Sequence, residues 1–202
     1  MIKRLALAPV LCLALAMPAW AEKLPLGDIS GYLNGMKTAQ AKFTQVNDDG
    51  SISTGTLFIK RPGRVRFEYD PPEQSLVLAG SGAVAIFDAN SNTGPATYPL
   101  NQTPLSIILD KNVNLSRARM VTGHTSDGTT TTITAQDPSH PEYGNIQLVF
   151  TASPVELRQW VIRDNTGSRT TVILGEMRTG LNLSDFLFDI QRETEAKGPE
   201  GR

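Results

Sequence analysis

The stretch GTLFIKRPGRVRFEYDPP, residues 55–72, reads as two β-strands joined at Arg61, Pro62, Gly63 and Arg64. Side chains along a strand alternate between faces, so Leu57 and Ile59 share one face with Arg61. In the second strand Val65, Phe67 and Tyr69 take one face, and Arg64, Arg66 and Glu68 take the other. A strand polarised in this way has an apolar side and a wet side. Arg61 is the odd member, a guanidinium at the end of an apolar row. Either it lies in water at a rim, or its five donors are aimed at something.

Working outward from this hairpin, residues 26–40 read as a helix, with Ile29, Tyr32, Leu33 and Met36 on one face. Asp28 is the expected N-cap and Pro25 suits the entry. Gly31 and Gly35 weaken the helix by roughly 1 kcal/mol each relative to alanine, so it needs a surface to pack on. Residues 41–46 alternate like a strand and 47–50 form a turn. After the hairpin, Asp70, Pro71, Pro72 and Glu73 form a loop. Residues 75–79 and 83–88 pair across Gly80 and Gly82, and 89–99 read as a polar loop. Thr103 and Pro104 announce a short helix, Thr103 as N-cap, with an apolar stripe of Leu105, Ile108 and Leu109. Strands are expected at 115–122, 129–135, 145–151, 157–164 and 170–178, with a tight turn at 164–167. Residues 182–190 read as a turn and a last strand, and 191–202 as a charged, disordered tail. The sum is about ten antiparallel strands with one helix before them and one among them. Such a chain is mainly β, and its sheet either closes into a barrel or stays unclosed and uses helices as cover.

The first 21 residues look like a cleaved secretory leader: a basic start at Lys3 and Arg4, an apolar run, then Ala19-Trp20-Ala21. The mature chain then begins near Glu22, as one domain over 22–190, in an extracytoplasmic space. The whole chain has 19 Lys and Arg against 20 Asp and Glu. With two of the cations in the leader, the remainder is slightly acidic, which argues against nucleic acid as a partner. The single cysteine, Cys12, also lies in the leader, so no disulfide or thiolate metal site is expected beyond it.

Catalytic readings find little support. His124 and His140 sit in loop-like contexts without metal-ligand spacing. No Gly-x-Ser-x-Gly elbow is present. Asp48 and Asp49 suit a solvated turn, and Glu68 suits a surface carboxylate. The residues point to a protein that is not an enzyme and holds neither metal nor cofactor. What remains is an apolar interior with one arginine at its rim. Leu57, Ile59, Val65, Phe67 and Tyr69 are either an ordinary core, with Arg61 reaching out to water, or the wall of a ligand cavity in a half-closed barrel. Apolar alternation alone favours the ordinary core.

Several segments taken in order resemble the outer-membrane lipoprotein carrier protein (LolA) family. They are AKFTQ at 41–45, GTLFIKRP at 55–62, RFEY at 66–69 with Pro72, SLVL at 75–78 and TPLSIIL at 103–109. The resemblance implies an incomplete antiparallel β-barrel with a helical lid and a hydrophobic cavity for lipoprotein acyl chains. It implies a periplasmic chaperone, working as a monomer, that moves lipoproteins from the inner to the outer membrane. Arg61 aligns with the family's rim arginine, which is held to bond lid backbone groups when the lid is closed. Leu57, Ile59, Val65, Phe67 and Tyr69 would line the cavity. Leu33, Met36, Leu105, Ile107, Ile108 and Leu109 would belong to the lid. The implied partners are acylated lipoproteins and an inner-membrane ABC-type releasing complex, with delivery either through an outer-membrane receptor or by direct insertion. The chain departs from the family at Phe67, where tryptophan is common, and at residues 79–85. A lipid-binding or regulatory half-barrel module, such as a glycolipid carrier or lipoprotein sensor, is the alternative.

Overall fold

The computed structural model describes residues 22–91, 93–116 and 120–197, so the expected leader lies outside the described residues. The chain opens with α1 (Leu26–Gly35). Strands β1 (Thr38–Val46), β2 (Ile52–Lys60), β3 (Arg64–Tyr69), β4 (Leu76–Gly80), β5 (Ala83–Phe87) and β6 (Ala96–Pro99) follow. A 3-10 turn (Leu100–Gln102) leads into α2 (Leu105–Leu109). Then come β7 (Val121–Ser126), β8 (Thr130–Ala135), β9 (Asn145–Ala152), β10 (Val155–Arg163), β11 (Arg169–Leu174) and β12 (Arg178–Thr179). A 3-10 turn (Asp185–Phe188) and α3 (Ile190–Lys197) end the described chain.

All twelve strands form one antiparallel sheet in the order β6-β5-β4-β3-β2-β1-β11-β10-β9-β8-β7, with β12 beside the start of β1. The ends of that order, β6 and β7, are not paired with each other, so the barrel is unclosed. The sheet still curls far round. Phe67 on β3 meets Trp160 on β10 edge to face at 6.1 Å, although three strands lie between them. Phe43 on β1 meets Phe67 at 5.4 Å and Tyr69 at 5.2 Å.

Alternation divides the side chains between two cores. The concave face carries Leu57, Ile59, Val65 and Phe67, in one buried cluster with Ile29 and Leu33 of α1 and Leu105, Ile107, Ile108 and Leu109 of α2. The convex face of β4 and β5 carries Leu76, Leu78, Ala85 and Phe87, packed with Leu183 and Phe188 from the end of the chain. Arg64, Arg66 and Glu68 were expected on a wet face. Instead, Arg64 and Lys60 pair with Asp185, and Arg66 pairs with Glu68 and Glu193 and donates to the carbonyl of Leu187. The C-terminal segment lies over them because its own apolar residues need the convex face.

The sequence reading is corrected at several other places. The first helix stops at Gly35, so Met36 caps it and stays buried outside the helix proper. Asp28 stands in the first turn, where its charge suits the helix N-terminus, and no side chain caps that end. The Thr103 hydroxyl donates back to the carbonyl of Leu100 and does not cap α2. Residues 96–99, read as loop, form the exposed edge strand β6. The strand expected at 115–122 is β7, which starts later, at Val121. Within 182–190, read as a turn and a last strand, the chain makes a 3-10 turn at Asp185–Phe188 and no strand, and Ile190 opens α3. The tail expected to be disordered from residue 191 is helical as far as Lys197, held by Glu193 on Arg66 and by Lys197 over the Phe87 ring at 5.5 Å.

Candidate functional site at the barrel mouth

The site is built where β2 ends. Arg61 follows the last residue of β2, so alternation turns it inward with Leu57 and Ile59. Its backbone is fixed by an N–H bond to the carbonyl of Lys37 at 2.8 Å. The side chain is buried, at 6% exposure. Its Nη2 donates to the backbone carbonyl of Asp110 at 2.5 Å and to Oδ1 of Asn34 at 3.3 Å. Asp110 is the C-cap of α2 and Asn34 lies near the end of α1, so one guanidinium touches both helices that cover the concave face. The hairpin adds a second tie, from the N–H of Gly63 to the carbonyl of Leu109 at 2.8 Å.

Arg61 is only partly satisfied. Its Nε and Nη1 are buried without hydrogen-bond partners among the described residues. Each unpartnered buried donor costs about 1–3 kcal/mol. Burial also pushes the pKa of Arg61 down from its ordinary value, opposed by the charge of Asp110.

The other residues expected at the site are placed as follows. Leu57, Ile59, Val65 and Phe67 are buried on the concave face, in one cluster with the buried residues of α1 and α2. Tyr69 is half-buried at the far end of that row, and its hydroxyl donates to Oε1 of Gln45 at 2.6 Å. Leu33 lies inside α1, and Leu105, Ile107, Ile108 and Leu109 make up nearly all of the five-residue α2. Sequence reasoning missed Asn34, Ser30 and Asp110, which make polar contacts at the two covering helices; isolated polar residues in or beside short helices carried no signal. It also missed Trp160, fully buried opposite Phe67.

The phenol of Tyr69 is pushed up to about 12 by burial, against the pull of its bond to Gln45. Because the native state holds that proton more tightly, the resulting stability is complete below pH 10 and is lost as pH rises towards 12. Urea unfolding at pH 9 and pH 11 is expected to give a clear fall for the native sequence. For Tyr69→Phe the fall is expected to be smaller.

Comparison with known proteins bears on this arrangement. The family model for the outer membrane lipoprotein carrier protein LolA matches residues 34–191. The chain belongs to this family. A LolA-family relative from Methylococcus capsulatus, named outer-membrane lipoprotein carrier protein, is 26% identical over 196 residues, covering 89% of this chain and 88% of that one. Relatives with the same name from Coxiella burnetii and Azotobacter vinelandii are 25% and 23% identical, covering 81% and 91% of this chain and 81% and 89% of their own. Among solved structures, a LolA superfamily protein from Nitrosomonas europaea aligns at a TM-score of 0.42 and 11% identity, covering 82% of this chain and 98% of that one. An uncharacterized conserved protein from Thermus thermophilus aligns at 0.46 and 11%, covering 81% and 90%.

Proposed function

We propose that this protein is a periplasmic carrier that shelters the acyl chains of lipoproteins against its concave apolar face and moves them from the inner to the outer membrane. The observation that carries this reading is the buried guanidinium of Arg61, set at the end of an apolar row and bonded to the carbonyl of Asp110 just after α2. A structural core has no need of such a group. A lid that must open and close can use it.

Each acyl methylene left in water costs about 0.8 kcal/mol. Two or three chains of about sixteen carbons would cost tens of kcal/mol, so a lipoprotein cannot cross an aqueous space unescorted. With the lid displaced, Leu57, Ile59, Val65 and Phe67 offer those chains an apolar wall. The basic and apolar leader at residues 1–21 would send the chain to the periplasm. Loading there calls for a machine that pulls lipoproteins from the inner membrane, and delivery calls for an acceptor at the outer one.

Affinity purification of the tagged protein from a periplasmic extract tests this, with bound material identified by mass spectrometry. Amino-terminally acylated proteins are expected to be enriched over a folded control. Free lipids alone would replace the reading with a general lipid carrier. Neither, from folded protein, would overturn it.

A further inference from the structure

The two helices over the concave face are held in different ways. α1 is bound to the sheet from several sides. The hydroxyl of Tyr32 accepts the N–H of Leu157 at 3.3 Å, where the β9–β10 register shifts. The Tyr32 ring stands edge-on to Phe150 at 5.9 Å. Just before α1, the N–H of Leu24 donates to Thr131 at 3.0 Å, and its carbonyl bonds His124 at 2.9 Å.

α2 is a single short turn whose polar ties to the rest of the fold lie at its end. Two are the Asp110 and Leu109 carbonyls already described. The chain that follows is then hung on α1. Asn34 Oδ1 accepts the N–H of Val113 at 2.9 Å and its Nδ2 donates to the carbonyl of Val113 at 2.8 Å. One step on, the hydroxyl of Ser30 accepts the N–H of Leu115 at 3.0 Å. α2 also borders a groove of about 820 Å³ lined by Leu100, Ile107, Leu109, Asp110, Met120 and Pro138, and no residue of α1 reaches it.

We propose that Asn34 is the positioning residue of the latch: it makes α1 a fixed post and Val113 the pivot, so that α2 alone swings out when Arg61 lets go. The same Oδ1 that holds Val113 also accepts from Arg61, so the pivot and the guanidinium share one atom. Asn34 thereby sets where the Asp110 carbonyl meets Arg61. This rests on the lid reading above, but its test uses no lipoprotein, so either can fail without the other.

Amide hydrogen exchange on the purified full chain provides the test. In the native sequence, amides of residues 105–113 are expected to exchange at least tenfold faster than those of 29–33. Asn34→Ala is expected to speed 105–113 about tenfold more while leaving 29–33 and the β9 amides unchanged. Asn34→Asp keeps the acceptor for the Val113 N–H and for Arg61 but loses the donor to the Val113 carbonyl, so 105–113 are expected to exchange faster than in the native sequence and slower than in Asn34→Ala. In an Arg61→Leu background the latch is already open, and Asn34→Ala is expected to change 105–111 less than twofold. Equal acceleration of α1 and α2, or full additivity with Arg61→Leu, would overturn the proposal. Should Asn34→Ala unfold, the order of exchange in the native protein still decides whether α2 moves alone.

Discussion

Replacing Arg61 by leucine is expected to leave the carrier loaded. In the closed lid, Arg61 gives two hydrogen bonds, to Asp110 and Asn34, and hides two donors that have no partner. The bonds favour closure and the hidden donors oppose it, so the closed and open states stay close in free energy. A cargo can then displace the lid, and re-forming the bonds can help expel the cargo. Leucine removes both sides of that balance. It keeps the site apolar, adds contact for an acyl chain, and leaves α2 only the Gly63 tie at its end to return to. Transfer of a bound lipoprotein to acceptor membranes is expected to slow at least tenfold, which needs only about 1.4 kcal/mol. Co-purifying lipoprotein should rise in parallel. Transfer at the native rate, from protein of native stability, would remove Arg61 from the gating role.

The second large effect concerns folding. A methyl group at Gly55 would stand 2.1 Å from the carbonyl oxygen of Glu68 and 2.7 Å from two ring atoms of Phe43. Gly55 pairs with Phe43 on β1 and with Tyr69 on β3, so the Phe43 ring lies across a site where only hydrogen leaves room. Neither neighbour can yield cheaply, since one is strand backbone and the other is packed against Phe67 and Tyr69. Overpacking a core costs roughly 1–3 kcal/mol and more where backbone must move. Gly55→Val is expected to lose about 3 kcal/mol or more in chemical denaturation. The loss falls on β2 and β3, the strands that present Arg61, so lid closure should weaken with it. A change below about 1 kcal/mol would mean that the strand pair shifts more freely than its contacts allow.

How far the fold was legible depends on which residues repeat. In residues 55–69 the period of two was clean, and it placed Leu57, Ile59, Val65 and Phe67 on one face with Arg61 at its end. The two-core plan was not legible, because the apolar convex-face residues of β4 and β5, Leu76, Leu78 and Phe87, gave no sign of the C-terminal segment that lies on them. Residues 113–115 misled for a related reason. Leu115 looks like a strand opening, yet Ser30 ties it to α1 as Asn34 ties Val113, and the strand waits until Val121. The tail was read by charge alone, and its charges turn out to be the partners of Arg66 and Phe87. At the site, the inward arginine could be found from its place in an apolar row. What it holds was indicated only by the family resemblance, as backbone groups of the covering helices; nothing in the residues themselves singled out the Asp110 carbonyl or the Asn34 amide.

The unpaired ends of the sheet bear on capacity. A closed barrel has a bore fixed by its strand number and stagger, and it cannot widen without breaking a ladder. Here β6 and β7 end the sheet with no ladder between them. Eleven strands in series, free at both ends, can change their mutual twist without breaking a ladder. On the carrier reading proposed above, the room behind the lid would then stretch to cargoes of unequal girth, as a belt fits without a last hole.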